Sequence, residues 1–371
     1  MDNEINKEYI EKAINELIKF FGIKESIKDK DILKKISDKQ IKEAIKLIAH
    51  QFGLLINVNI NIVPDNYKDQ QDINNKFQSS HLVRVNQHGY ENEGIIAQVL
   101  IPKNLPLYGL SELNNYPINV KISRNCIKFP TTFLMIMAHE LSHLLMYSVR
   151  HPEKENEFYT DILAMILGFS DIFKKGRKNI TIKESNEFLG NKIMTITTTY
   201  GYLNDDQFSF AYKKIKSILK KNWERKNLLL KELNLFNQLL LEYEKNIFKF
   251  KKFLEYLTKN RINKISIDDI KKITIFFNPG YLDNFDLIIK KYKIQNKKIE
   301  DFSKKIFHYT EQKIDKIISY TNNLKIYQNE LKNKIFSLKR DIKILGKYIN
   351  IKYKIKIFLF AFFRKKLSEF N

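Results

Sequence analysis

The chain has 371 residues, 43% of them hydrophobic, with only 11 Gly and 7 Pro, which supplies a core but too few turn-formers for a turn-rich all-β fold. Its single cysteine, Cys126, excludes an intramolecular disulfide framework and a cysteine-rich zinc finger. Residues 1–210 hold 26 Lys and Arg against 26 Asp and Glu, whereas 211–371 hold 39 against 16, so the whole net charge of +23 belongs to the second part.

That charge step sets a domain boundary near residues 205–212. The first stretch, MDNEINKEYIEK, is charged where a secretory leader needs an apolar run. No stretch reaches the roughly 18 apolar residues of a membrane span. The expected compartment is the cytoplasm.

Ile5, Ile10, Ala13, Ile14, Leu17, Ile18 and Phe21 follow helical spacing, which predicts an amphipathic helix over 5–21. Ser37 is placed to cap a second helix from Asp38 to Phe52, stopped by Gly53. The period then changes to two. Ile56, Val58, Ile60 and Ile62 alternate within a strand over 54–63. Residues 65–80 read as a polar loop. Strands are expected over 81–85 and 94–101, joined across His88-Gly89-Tyr90, and a further one over 116–123. The motif helix opens after Phe129-Pro130 with Thr131 or Thr132 as its cap, and runs to about Val149. Residues 150–156 turn at Pro152 into a helix over 157–169, with Gly168 near its end. Residues 170–195 are polar and mixed.

Tyr200-Gly201-Tyr202-Leu203 is a turn, and Asn204-Asp205-Asp206 starts the next helix. From about 212 to 259 the pattern is one long helix or a broken pair. A short helix is expected from Ser266 to Asn278-Pro279-Gly280. From Tyr281 the chain is helical again, with Leu324, Leu331, Leu338 and Leu345 spaced by seven and Ile335, Ile342 and Ile349 in a second row. This is a coiled-coil seam over 314–349, interrupted by Thr321 and Gln328.

The chemistry concentrates in Met137-Ala138-His139-Glu140-Leu141-Ser142-His143-Leu144. Two histidines four apart on a helix are rotated by about 40° and separated by about 6 Å along its axis. Both imidazoles then leave one face and can share a tetrahedral zinc ion. Glu140 sits where a carboxylate can take a proton from a zinc-bound water. A catalytic zinc also needs a third protein ligand and an open position. The turn at 150–156 reverses the chain, so Glu157 and Asp161, on one face of the following helix, point back toward His143 and His139. Glu157 is assigned as the third ligand. Asp161 is assigned as the hydrogen-bond acceptor that fixes a ligand imidazole, with the short spacer leaving open that Asp161 reaches the metal instead. Two competing readings are a pair of satisfied core histidines and a structural zinc closed by His151 or Asp161.

His139, Glu140, His143, Glu157 and Asp161 together resemble the zincin metallopeptidases. Within them they are similar to the glutamate-zincins, whose pattern is His-Glu-x-x-His followed by Glu-x-x-x-Asp on the next helix. The blocks HELSHLLMY and NEFYTDILAMILGF are also similar to small intracellular bacterial zinc peptidases. The likeness covers about 54–170 by fold and no part of 211–371. The spacer from His143 to Glu157 is shorter than in thermolysin-like members, and the metzincin extension is absent.

The resemblance implies an α+β catalytic domain with a small mixed sheet beside the motif helix, bound Zn2+, and hydrolysis of a protein or peptide substrate. It implies an edge strand that pairs with substrate, supplied by 116–123 or 94–101. It also implies a donor to the oxyanion, for which His151, Tyr159, Tyr200 and Tyr202 are candidates and Tyr202 is favoured.

The expected organisation is N-terminal helices over 1–53, a zincin-like core over 54–210, and an all-helical, partly coiled-coil domain over 211–371. The heptads imply pairing with 212–259 or with a second copy as a homodimer. The basic charge admits nucleic acid as a partner, although the region is rich in Lys and poor in Arg. Ile357 to Phe363 between lysines admits an anionic membrane surface, which would make the protein peripheral to the membrane. The alternative to an enzyme is a zincin-like scaffold or sensor whose basic helices bind a partner.

Overall fold

A computed structural model of the chain describes residues 7–64, 77–82, 95–187, 190–260 and 281–349. The expected joint at His88-Gly89-Tyr90, the rest of the strand beyond Leu82, the helix from Ser266 and the tail at 351–366 lie outside these residues.

The chain opens with α1 (Lys7–Phe21), a two-residue strand β1 (Ile23–Lys24), α2 (Asp29–Ser37) and α3 (Ile41–Phe52). Ser37 is therefore the last residue of a helix and not the cap of the next. The break falls at Lys39, which turns the chain with φ of 61°, and no side chain caps α3. Strands β2 (Asn57–Val63), β3 (Phe77–Leu82), β4 (Ile95–Ile101) and β5 (Pro117–Ser123) follow. The strand expected at 81–85 begins earlier, so the polar stretch before it ends by Phe77. The four strands form one mixed sheet in the order β2-β5-β4-β3. β2 runs parallel to β5, and the other two pairs are antiparallel. Both strands expected to meet substrate, β4 and β5, thus lie inside the sheet with their backbones already paired. The edges are β2 and β3.

After the single turn α4 (Arg124–Ile127), α5 (Pro130–Ser148) carries the motif. Neither Thr131 nor Thr132 caps it. Phe129 holds the capping position and Pro130 takes the first helical one, where a missing N–H costs nothing. Thr132 instead donates its hydroxyl to the Gly176 carbonyl at 2.9 Å. Every residue from Thr132 to Ser148 is buried. The helix is packed by α3, α6 (Glu157–Ala164), α7 (Ser170–Gly176), β3 and β4. A wide turn, Met165–Phe169, links α6 to α7. There Gly168 has φ of 108°, and a Cβ would lie 2.7 Å from the Glu25 carbonyl oxygen, so only glycine fits. Within the stretch read as polar and mixed, the chain then forms an antiparallel hairpin, β6 (Lys178–Glu187) and β7 (Gly190–Thr199).

A continuous helix α8 (Asp205–Lys259) follows, then α9 (Tyr281–Lys304), the short strand β8 (His308–Tyr309) and α10 (Glu311–Leu345). β8 pairs with β1. The chain divides into two compact units, 1–221 with 307–311, and 222–306 with 312–371. The first is mixed α and β. Among the described residues of the second there are only helices and turns.

Inside the second unit the heptad leucines Leu324, Leu331, Leu338 and Leu345 are fully buried, as are Leu229, Phe236, Tyr243 and Phe250 of α8. Gln328, one of the two seam interruptions, donates to the carboxylate of Glu232 at 2.7 Å and to its carbonyl at 3.0 Å. Lys339 pairs with Glu242, and Tyr292 of α9 donates to Glu330 at 2.7 Å. The seam is thus filled by helices of the same chain. Leu331→Ala is expected to destabilise this unit by about 2–5 kcal/mol in urea unfolding, through lost burial and an unfilled cavity. Ile326→Ala, on the exposed side of the same helix, should stay within about 0.5 kcal/mol.

Among the described residues no helix is long and apolar enough to cross a membrane.

Candidate metal centre

Helix α5 presents His139 and His143 one turn apart, both buried, with Glu140 fully buried between them. The following turn aims α6 back at them. Asn156 caps α6, accepting from the N–H groups of Phe158 at 3.1 Å and Tyr159 at 3.4 Å. Its amide donates to the Tyr9 hydroxyl at 2.7 Å. The start of α6 is therefore pinned to α1, and Glu157, its first residue, is fixed against the histidines.

Glu157 Oε2 lies 3.0 Å from Nε2 of His139 and 3.0 Å from Nε2 of His143. The two Nε2 atoms are 3.2 Å apart. The three atoms make a nearly equilateral triangle. Its edges are close to the ~3.3 Å that separates neighbouring ligands around a tetrahedral ion with ~2.0 Å bonds. Among the described residues, His139, His143 and Glu157 are the group that could hold a metal ion.

The surrounding hydrogen bonds decide the tautomers. Nδ1 of His139 faces Asp161 Oδ1 at 2.8 Å. Nδ1 of His143 faces the Lys154 carbonyl at 3.3 Å. The Thr160 hydroxyl, 3.4 Å from the same nitrogen, donates to the Asn156 carbonyl. Both Nδ1 atoms therefore carry the proton of a neutral ring. In these tautomers two Nε2 lone pairs and a carboxylate oxygen converge, an arrangement that a shared cation, a metal ion or a proton, would relieve. The donor set, two imidazoles and one carboxylate, suits a divalent ion such as zinc and leaves a position open.

Without a metal, a proton takes that place. Burial alone pushes His139 down, but its hydrogen bonds to Asp161 and Glu157, with the charges of Asp161 and Glu140, outweigh it and raise the ring from 6.5 to about 10. Burial raises Glu157, yet its bonds to both histidines and their charge hold it down at about 2. His139 titrates higher folded than unfolded, so the stability it adds to the metal-free fold is complete below about 6.5 and is lost as pH rises through about 10. Glu157 titrates lower folded, so its share is present above about 4.5 and lost as pH falls through about 2. The melting temperature of metal-free protein is expected to fall from about pH 7 to pH 10, and saturating zinc should flatten that limb because the ion replaces the proton. Identical profiles with and without zinc would contradict this arrangement.

Asp161 does not touch the triangle. Its Oδ1 receives His139, and its Oδ2 accepts the backbone N–H of Tyr202 at 2.7 Å and of Leu203 at 3.4 Å. Tyr202 stacks its ring on that of His139, with centroids 5.4 Å apart and planes at 22°. Burial pushes its hydroxyl up, and the charges of Glu157, Glu140 and Asp161 push further. The phenol is therefore a donor at any working pH. Two of the other oxyanion candidates have partners away from the triangle. The Tyr159 hydroxyl donates to Glu16 at 2.7 Å. His151 accepts from the Glu153 N–H and packs against Phe20 and Phe21. Neither His151 nor Asp161 belongs to the group of three converging donor atoms. Cys126 is buried, and burial with the nearby charge of Glu140 pushes its thiol up.

No protein-family model, curated protein or solved structure matches the chain.

The geometry stands on its own residues. The side chains of His139 and Asp161 are sealed from solvent, whereas that of Glu157 is 30% exposed. Three participants carried no sequence signal. The Lys154 carbonyl and the Tyr202 and Leu203 N–H groups act through backbone, which any residue type supplies.

Proposed function

We propose that the chain is a zinc-dependent metallopeptidase of the zincin type, acting on protein or peptide substrates. The observation that carries this reading is the convergence of His139 Nε2, His143 Nε2 and Glu157 Oε2 within 3.0–3.2 Å, with the buried Glu140 on the same helix. A bound zinc ion would supply Lewis-acid polarisation of the scissile carbonyl and acidify water. The two imidazoles and Glu157 would hold the ion. Asp161 keeps His139 in the tautomer that offers Nε2. Glu140 takes the proton of the attacking water and returns it to the leaving amine. Tyr202 is the hydroxyl donor for the negative charge that develops on the carbonyl oxygen. The antiparallel edge β3, which packs against α5, is the strand on which an extended substrate backbone adds.

The test is cleavage of an unfolded, fluorescently labelled polypeptide by full-length protein. Activity should vanish with a zinc chelator and return with added zinc. Zinc-loaded protein that cleaves no unfolded polypeptide would favour the second reading, a non-enzymatic scaffold or sensor. That reading draws on the confinement of the +23 charge to 211–371, and salt-dependent binding of DNA or RNA by the full chain would support it.

A further inference from the structure

Arg177, between α7 and β6, is 5% exposed. Its Nη2 donates to the Leu203 carbonyl at 2.7 Å and lies 3.3 Å from Asp205 Oδ1. Its guanidinium carbon sits 4.4 Å from the centroid of the Phe208 ring. Its own carbonyl accepts the Tyr200 N–H at 2.7 Å. One residue thus ties both ends of the 200–203 turn. Its neighbour Gly176 is anchored in turn, through its carbonyl, to Thr132 in the first turn of α5.

Between those ties the turn is shaped to meet Asp161. Gly201 has φ of 91°, and a Cβ there would lie 3.2 Å from Asp161 Oδ2. Only with glycine does the backbone bring the Tyr202 and Leu203 N–H groups onto that oxygen without crowding it. A carboxylate held by two N–H groups on one oxygen has its other oxygen aimed, and here it is aimed at Nδ1 of His139. An unpaired buried guanidinium would be costly, and lysine lacks the planar head that lies on the Phe208 ring while Nη2 reaches both the Leu203 carbonyl and Asp205.

We propose that Arg177 is a positioning residue of the metal centre: by fixing the 200–203 turn it holds Asp161 on His139 and so sets the imidazole that meets the ion. The consequence for metal affinity rests on the zinc reading above, whereas the clamp on His139 does not. A merely structural bridge at the base of the β6–β7 hairpin would change stability and leave the imidazole alone.

The experiment uses full-length Arg177→Lys and Gly201→Ala, with Lys178→Gln as a control that removes an exposed ion pair to the same Asp205. Two readouts are taken on folded protein with matching helical circular dichroism. One is the imidazole N–H resonance of His139 in nitrogen-15 histidine-labelled, metal-free protein. The other is zinc affinity by competition with a chromogenic chelator. Arg177→Lys and Gly201→Ala should each shift or broaden the His139 resonance and weaken zinc by about 10–100-fold, the range for loss of an outer partner. Lys178→Gln should change neither. A parental His139 resonance and parental affinity in folded Arg177→Lys overturn the proposal, and Gly201→Ala decides in the same way where Arg177→Lys does not fold. Parent protein that binds no zinc defeats the metallopeptidase reading, while the His139 resonance still decides the clamp.

Discussion

Glu140→Gln is expected to bind zinc as the parent does and to lose about 10²–10⁴-fold in kcat, the usual contribution of a positioned acid–base group. The carboxylate is fully buried and follows His139 directly in α5, so it is held by the same helix that holds two ligands. Glutamine keeps the volume and a hydrogen-bonding head but does not take a proton. The ligand triangle is untouched, so metal content should not change. KM should move little, because the proton transfer belongs to the transition state and not to binding. Proteolysis at the parental rate by zinc-loaded Glu140→Gln would remove the acid–base role from this residue.

Glu157→Ala and Asp161→Ala should separate by the size of the metal defect. Removing Glu157 deletes one corner of the triangle and its only carboxylate. Two imidazoles then remain, and zinc affinity should fall by more than the roughly 10–100-fold that loss of an outer partner costs. Asp161→Ala leaves all three donor atoms in place. It removes the acceptor of the His139 Nδ1–H and strands the N–H groups of Tyr202 and Leu203. Its zinc affinity should fall within about 10–100-fold, with full occupancy recovered at high zinc. It should also melt lower than Glu157→Ala, since a buried N–H without a partner costs about 1–3 kcal/mol. Titration with zinc in the presence of a competing chelator measures both. Equal defects in the two variants would place Asp161 on the metal.

The elements that were legible in sequence are those whose pattern depends on one face. The alternation of Ile118, Val120 and Ile122 marked β5 because that strand buries this face. In β2 the alternation marked the strand but not its buried face, since Val58 is buried, Ile60 half-buried and Ile62 exposed, while Val63 is buried. The order of strands in the sheet was not legible, since backbone pairing is indifferent to side chains. The substrate strand was accordingly sought at β4 and β5, which turn out to be interior. Ser37 and Thr132 looked like caps because their hydroxyls can serve that role. In the fold Ser37 closes a helix, and Thr132 finds the Gly176 carbonyl. The β6–β7 hairpin was obscured by Lys, Asn, Glu and Thr between its isoleucines, a composition that reads as loop without a view of the pairing partner.

The site divides in the same way. His139, Glu140 and His143 were visible because four-residue spacing on a helix fixes a shared face. Glu157 and Asp161 were visible because the short turn before them leaves the next helix little choice but to return along the first. Their division of labour follows from one helical turn. Glu157, at the start of α6, reaches the Nε2 atoms, and Asp161, four residues on, reaches Nδ1. Arg177 was invisible. It acts on His139 through a turn and a carboxylate, and a lone arginine after a lysine pair carries no pattern.

The central claim, that His139, His143 and Glu157 bind zinc, is tested most directly by metal analysis of full-length protein purified without chelator, beside His143→Ala. The account predicts about one zinc per parent chain, as one set of three protein ligands requires, and almost none in the variant. Parent protein free of zinc after incubation with a zinc salt, or His143→Ala that retains the parental content, would contradict it.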